Sequence, residues 1–423
     1  MSAGGHWELR DAERYLLGLE LFGMRFGLDR MRRLMTTLDQ PERRYDTIHV
    51  VGTNGKSSTT RMIAAILQRH ELRVGAYLSP HLVSFAERIR VDDRDVEPRA
   101  FARAIERAAH AAALVDRTQA HDDRVTQFEA LTAAAFSELA AREVDVAVIE
   151  AGLGGRWDAT NVIPSTVQVL TSVGLEHTRW LGPTVRDIAR EKLAVVREGG
   201  TLVVGAGLHP DALEEAHAAA QRQGAQLVQA PADPGVELAA PGEFQRRNFA
   251  LARTAAQAYL EATARTLAPE RVRAAASAVT VPGRLQAVAH EPLTLLDGAH
   301  NAEGVAALAE SLPRLTAGRP LVAVVSILDD KDAAGMLRAL VPHAEDVVFT
   351  RSRNPRALPP ATLASLWAQV GGGSGSELEA EPRRALRRAR ELAGAGGVVL
   401  ATGSIYLVAD LLAPAGQRSA SML

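Results

Sequence analysis

The sequence predicts an α/β protein made of two successive units, each a mainly parallel sheet covered by helices. Three observations predict it. Apolar, β-rich runs alternate with stretches of helical period along most of the chain. The pattern weakens between about 225 and 246, and the alternation restarts after a linker at 280–286. The 423 residues, 47% of them hydrophobic, are enough for two or three cores at roughly 150 residues each.

The elements follow in order. TIHVVG (47–52) reads as a buried strand. The next stretch, 57–70, has Met62, Ile63, Ile66 and Leu67 on one helical face, and RVGAYLS (73–79) is a second strand. Together they form a βαβ unit, which requires parallel strands. Helices are expected at 98–114 and 127–142, with strands VDVAVIE (144–150), STVQVLTSV (165–173) and TLVVGA (201–206), and a helix at 210–223. Residues 225–246 are rich in Pro, Gly and Ala and read as loop. Helices at 248–263 and 269–278 follow, then TVPGRLQ (280–286) as a linker, so the units divide into 1–282 and 283–423. The second unit reads TLLDGA (294–299), helix 302–312, PLVAVVSIL (320–328), helix 332–342, DVVFT (346–350), helices 359–369 and 381–393, GGVVLATGS (396–404) and a last helix. GGGSGSE (371–377) is expected to be a flexible turn.

Composition narrows the function. There are no cysteines, which removes disulfides, thiolate catalysis and cysteine-bound metals. A net charge of −2 and 4% aromatics do not suggest a nucleic-acid surface. No apolar run approaches the roughly 20 residues of a membrane helix, and MSAGGHWELRDAERY has no signal-peptide pattern, so a cytoplasmic protein is expected.

The chemistry gathers at strand ends. Gly52-Thr53-Asn54-Gly55-Lys56-Ser57-Ser58 lies between a strand and a helix start. Glycines there let backbone N–H groups reach phosphate oxygens, the helix N-terminus favours anions, and Lys56 adds a point charge. The spacing differs from the usual phosphate loop, with two residues between the glycines instead of four. Glu150 ends the strand VDVAVIE, where a nucleotide Mg²⁺ is commonly held, although a strand-end carboxylate alone is often only a surface charge. His177 and Ser79 also follow strands that would end on the same sheet edge. Gly152 to Asn161 form a Gly-rich turn carrying Arg156, Asp158 and Asn161. Asp297-Gly298-Ala299-His300-Asn301 repeats the strand–turn–helix pattern in the second unit. By period alone Lys192 is an ordinary solvated helix lysine, and Arg284 and Ser404 carry no signal of their own.

Taken in order, GTNGKSSTT, LSPHLVSFAERIRV, TQFE, IEAGLGGRWDATN, GLEHTRWLG, REKLAVV, PGRLQ, LDGAHN, DDKD and TGSIYLV resemble the folylpolyglutamate synthase/dihydrofolate synthase branch of the Mur ligase superfamily, from about residue 20 to 410. The resemblance implies an N-terminal P-loop Mur-ligase-type ATPase domain and a smaller C-terminal Rossmann-like domain. It implies ATP and Mg²⁺, with dihydropteroate or a reduced folate and L-glutamate as partners of a monomeric enzyme. Thr53, Asn54, Gly55, Lys56 and Ser57 would cradle ATP, with Asn248, Arg284 and Asp297. Ser79, Glu150 and His177 would hold Mg²⁺. Lys192 would be carbamylated, the reverse of its surface reading. His300 and Ser404 would lie near the incoming glutamate. Arg25, Phe26, Gly27, Leu28, Thr126, Gln127, Phe128, Glu129, Trp157, Asp158 and Ala159 would contact dihydropteroate. Three residues depart from the family pattern: Ser57 for Gly, Glu176 for the Asp before the metal His, and Ala302 for Pro. Two rival readings stand beside this one. One is a sister ligase acting on another carboxylate, and the other is a nucleotide-binding ATPase without ligase activity.

Overall fold

The computed structural model describes residues 6–20, 27–119, 123–373 and 375–414. Helices α1 (Leu9–Gly18) and α2 (Asp29–Thr37) precede strand β1 (Asp46–Val51), α3 (Lys56–Arg69) and β2 (Val74–Tyr77). A ribbon of β3 (Ile89–Val91) and β4 (Arg94–Asp95) follows, then α4 (Pro98–Asp116), α5 (Gln127–Ala141), β5 (Val146–Glu150) and β6 (Val167–Leu170). Next come α6 (Thr178–Leu181), α7 (Val185–Leu193), β7 (Thr201–Val204), α8 (Pro210–Gln223), β8 (Gln226–Gln229), α9 (Glu243–Ala262) and α10 (Pro269–Ala278). The second sheet's part of the chain holds β9 (Gln286–His290), β10 (Leu293–Leu296), α11 (Ala302–Ala309), α12 (Leu312–Thr316), β11 (Leu321–Val325), α13 (Ala333–Leu340) and β12 (Asp346–Phe349). It ends with α14 (Pro360–Gln369), β13 (Ser376–Leu378), α15 (Pro382–Ala393), β14 (Val398–Thr402) and α16 (Ile405–Leu412).

The first sheet has the order β4-β3-β2-β5-β1-β6-β7-β8, and the second β13-β12-β11-β14-β10-β9. In the first, β1 lies between β5 and β6, both parallel to it, with Val50 opposite Glu150 and Val51 opposite Leu170. The carboxyl ends of these three strands therefore meet at one edge, the place where open α/β sheets take ligands. The strands read as continuous apolar runs because both faces are covered. Ile48, Val50, Val148 and Val169 pack with Phe249 and Ala252 of α9. Ala147 and Ile149 pack with Phe136 of α5. Val51, Leu170 and Leu202 pack with Ile188 of α7.

The structure departs from the sequence reading at several points. The parallel sheets carry antiparallel edges: β3 runs against β2, and β9 against β10. β3 and β4 turn through Asp92 and Asp93, both left-handed with φ of 49° and 58°. The region expected as loop at 225–246 contains β8 and the start of α9. The expected linker ends in β9, and the expected flexible turn runs into β13. The helix expected at 302–312 is two, because Pro313 has no N–H to bond the Ala309 carbonyl and continue the first. Helices α1 and α2 lie outside the elements expected from the sequence.

His49, fully buried in β1, predicts an acid-sensitive fold. Burial, helped by the Arg197 charge, pushes its imidazole down from 6.5 to about 3. The charged form is disfavoured only in the folded chain, so this stability is complete above 6.5 and is lost as pH falls from there towards 3. Each unit of that interval removes up to about 1.4 kcal/mol. Melting at about pH 7.5 and about pH 5 should show a lower Tm in acid, with a shallower decline for His49→Gln. Identical declines in the two proteins would contradict this assignment.

Candidate active site

The turn after β1 is shaped by what it passes. A Cβ on Gly52 would lie 1.8 Å from Thr171 Oγ1, and one on Gly55, at φ 84°, 2.5 Å from Asn248 Oδ1. Only glycine fits such approaches. The turn is tied to the end of β6: Thr53 N donates to Ser172 O (2.8 Å), Asn54 N to Ser172 Oγ (2.9 Å), and Thr171 Oγ1 to Asn54 O (2.6 Å). Lys56 opens α3 and folds back, its Nζ donating to Gly52 O (3.1 Å) and Thr53 O (3.0 Å). The backbone amides at the mouth of α3 and this ammonium make an anion site.

Glu150 stands beside it. Its Oε1 accepts from Ser57 Oγ (2.8 Å) and its Oε2 from the Ser79 backbone N (3.0 Å). Burial raises the carboxyl to about 6, while Lys56 and these hydrogen bonds oppose the rise. The serine that replaces the family's glycine at position 57 thus puts a hydroxyl on Glu150. Burial also holds His177 down at about 4, so its ring is neutral and has a lone pair to give. Lys192 is 3% exposed, which overturns the surface reading. Its Nζ donates to Gly52 O at 2.8 Å, and burial with the nearby Lys56 charge lowers it to about 7. A Cβ on Gly155 would lie 2.6 Å from the carbonyl oxygen of Lys192 and 2.7 Å from that of Glu191, so the Gly-rich turn abuts the backbone of α7.

Among the described residues no three His, Asp or Glu side chains are close enough to hold a metal by themselves. The carboxylate and hydroxyls suit Mg²⁺, a hard cation that keeps several waters and takes other oxygens from nucleotide phosphates, with the neutral imidazole of His177 beside them.

The second sheet faces this edge. Asp297, 1% exposed, accepts from Leu285 N (2.9 Å) and Ala299 N (2.8 Å) and so shapes the loop that carries His300. Burial raises this carboxyl against the Arg284 charge. His300 Nδ1 pairs with Gly298 O at 2.9 Å, and Ser404 caps α16 by accepting from Tyr406 N. Glu176 joins the two sides. It receives Lys331 Nζ at 3.1 Å, Asn301 Nδ2 at 3.0 Å and His300 Nε2 at 3.5 Å, while Asn301 also reaches Asn54 Oδ1 at 2.9 Å. Burial alone would raise Glu176, but His300 and Lys331 hold it far below the usual carboxylate range.

All these groups line one cavity of 1540 Å³, larger than a single small ligand needs. Thr126, Phe128, Glu129, Trp157, Asp158 and Ala159 line its other end. Thr126 and Glu129 form a capping box on α5, and the Glu129 carboxylate pairs with buried Arg30 (3.0 Å). Thr-x-x-Glu before an apolar helix is the signal that could have foretold this. Three expected contacts do not reach the cavity. Gln127 points away and donates to Leu16 O (2.7 Å), Leu28 is buried ahead of α2, and Gly27 lies beside it. Arg25 and Phe26 lie outside the described residues.

Comparison with known proteins decides the family. A dihydrofolate synthase/folylpolyglutamate synthase of Bacillus subtilis is 32% identical over 427 residues, covering 95% of this chain and 98% of that one. The chain belongs to the dihydrofolate synthase/folylpolyglutamate synthase family. The family's counterpart in Mycobacterium tuberculosis is 37% identical over 372 residues, 80% of this chain and 76% of that one. The "Mur ligase, glutamate ligase domain" family matches residues 283–405. Among solved structures, Mycobacterium tuberculosis folylpolyglutamate synthase complexed with ADP superposes with a TM-score of 0.87 at 32% identity, over 95% of this chain and 97% of that one. Escherichia coli FolC with DHPP and ADP gives 0.84 at 28% identity, over 96% and 97%. The fold is thus that of the folylpolyglutamate synthases. Sequence reasoning missed Glu176 as a bridge, with Asn301 and Lys331 as its partners. It also missed Thr171 and Ser172 as supports of the phosphate turn. Their partners lie more than 100 residues away in the chain, so no local signal marks them.

Proposed function

We propose that this protein is an ATP-dependent ligase that joins L-glutamate to dihydropteroate, to a reduced folyl-glutamate, or to both, releasing ADP and phosphate. One observation carries the proposal. Lys56 and the phosphate turn, the buried Glu150, and His300 and Ser404 from the other sheet all line one cavity. Its far end offers Phe128 and Trp157 to an aromatic acyl group. The division at 282/283 is part of this reading, with ATP held by the first unit and glutamate by the second.

A carboxylate does not react with an amine at neutral pH unless it is activated. The γ-phosphoryl of ATP passes to the substrate carboxylate, and the glutamate amine then displaces phosphate from the acyl phosphate through a tetrahedral intermediate. Thr53, Asn54, Gly55 and Ser57 hold the phosphates, and Asn248, Arg284 and Asp297 border the nucleotide from the other side. Lys56 turns from its carbonyls to the transferring phosphoryl group and neutralises charge that builds there. Ser79, Glu150 and His177 would hold Mg²⁺, which when bound neutralises phosphate charge. Lys192, close to half neutral near pH 7, has the free amine that carbamylation requires. His300 and Ser404 orient glutamate. The two units close over the acyl phosphate and keep water from it.

The test is phosphate release with ATP, Mg²⁺ and glutamate, comparing dihydropteroate with tetrahydrofolate. Release that needs both glutamate and one of these acyl substrates is expected, with a product heavier by whole glutamates. ATP hydrolysis indifferent to glutamate would favour the ATPase reading, and turnover of neither folate would favour a sister ligase.

A further inference from the structure

His49 has no part in the chemistry above, yet it is fully buried one strand position from the edge residues of β1. Its Nε2 is 2.8 Å from Thr160 Oγ1. The same hydroxyl is 2.5 Å from Asp158 Oδ1. Both oxygens of Asp158 also receive backbone N–H groups, Thr160 N at 3.0 Å on Oδ1 and Leu153 N at 2.8 Å on Oδ2. Burial raises this carboxyl, and the Thr160 hydroxyl with the backbone N–H groups opposes the rise and makes the oxygen pair an ionised acceptor. The single hydroxyl hydrogen of Thr160 therefore goes to Asp158, and Thr160 must accept from His49. That fixes the imidazole as the Nε2–H tautomer. Its Nδ1 is left bare, and no hydrogen-bond partner meets it among the described residues. Burial holds the ring neutral, as a one-proton donor requires.

The chain of bonds ends at the cavity. Asp158 and its neighbours Trp157 and Ala159 line the cavity wall, as do Gly152 and Leu153. Asp158 ties this turn together through Leu153 N, and a Cβ on Gly152 would meet the Phe128 ring at 2.5 Å, so the turn lies flat against that aromatic side chain. Rotating the carboxylate would release Leu153 and lift the turn from Phe128.

We propose that His49, acting through Thr160, is a positioning residue for the acyl-substrate pocket: it sets the Asp158 carboxylate and with it the turn from Gly152 to Asp158. The inference rests on the reading that this turn seats the aromatic acyl substrate. Polarised hydrogen bonds in a dry interior hold such a group in one orientation. The strand that delivers the phosphate turn thereby also sets the acyl pocket on its other side.

Steady-state kinetics with dihydropteroate, or with tetrahydrofolate if that is the better substrate, test it. Thr160→Val and His49→Leu should each raise KM for the acyl substrate on the order of tenfold, the scale of one lost buried hydrogen bond. KM for ATP and for glutamate should stay within about twofold. Thr160→Ser, which keeps the hydroxyl, and His49→Gln, which keeps an N–H near the same point, should restore the KM. The double variant should be no worse than either single one, because both cut one chain. If valine or leucine prevents folding, Thr160→Ala reads the same split without added bulk. Losses shared equally by all three substrates, or no rescue by serine, would reduce His49 to a structural role and overturn the proposal. Asp158→Asn separates the two layers. If it leaves the acyl KM unchanged, the turn is not the substrate's seat and both readings fall. If it raises that KM while Thr160→Val does not, only the His49 relay falls.

Discussion

Lys56→Ala is expected to lower glutamate-dependent phosphate release by about 10³-fold or more, the scale on which a phosphoryl-transfer site depends on a cation at the migrating group. The fold should survive. Among the described residues Nζ hydrogen-bonds Gly52 O and Thr53 O, where water can take its place, and its charge also offsets the burial of Glu150. The stability change should stay within about 2 kcal/mol, because buried Glu150, already raised to about 6, can take up a proton once the ammonium is gone. Parallel melting curves and phosphate assays separate the two effects. An alanine variant that melts like the parent and still ligates would remove Lys56 from the mechanism. Lys192, whose Nζ shares the Gly52 carbonyl, does not substitute, because it is fully buried and only partly charged near neutral pH.

Glu176→Ala should have the next largest effect. Its carboxylate is the acceptor for Lys331, His300 and Asn301, all from the second sheet's part of the chain. Lys331 is 11% exposed and among the described residues would keep Asp330 alone, at 3.2 Å. Removing one partner of a buried pair costs about 3 kcal/mol. If that loss falls on the closed arrangement of the two units, the competent population drops about a hundredfold, and kcat with it. Glu176→Asp, one methylene shorter, should fall between alanine and the parent. Small-angle scattering with a non-hydrolysable ATP analogue should show the alanine variant more extended. Parental kcat and scattering in Glu176→Ala would break the link between this carboxylate and closure.

Much of the site was legible because its signals are local. A strand, Gly-Lys-Ser and a helix start adjoin in sequence, so the sequence alone places Lys56 and its turn. Glu150 ends one strand, Ser79 and His177 follow two others, and the parallel sheet brings those strand ends to one edge. What remained hidden depends on contact between distant segments. Nothing in the period of α7 tells that Lys192 faces Gly52 rather than water. Gln127 and Phe128 are adjacent on one helix, and only the packing of α1 shows that the glutamine turns inward to Leu16 while the ring meets the cavity. The edges were missed for another reason. β3 and β4 are three and two residues long, too short for a period, although the Asp92-Asp93 pair between them is a hairpin signal. β8 and β13, four and three residues long, follow Gly-containing stretches that read as loop.

The turn at Gly155 is held against the backbone of α7: a Cβ there would crowd the Glu191 and Lys192 carbonyls, and Arg156 N donates to Glu191 O at 2.9 Å. The two behave as a lever and its fulcrum. A compound that displaces this turn at Trp157 is expected to shift α7 with it, and so to strain the bond from the Lys192 amine to Gly52 O without entering the phosphate turn. Inhibition of that kind would not be relieved by raising ATP.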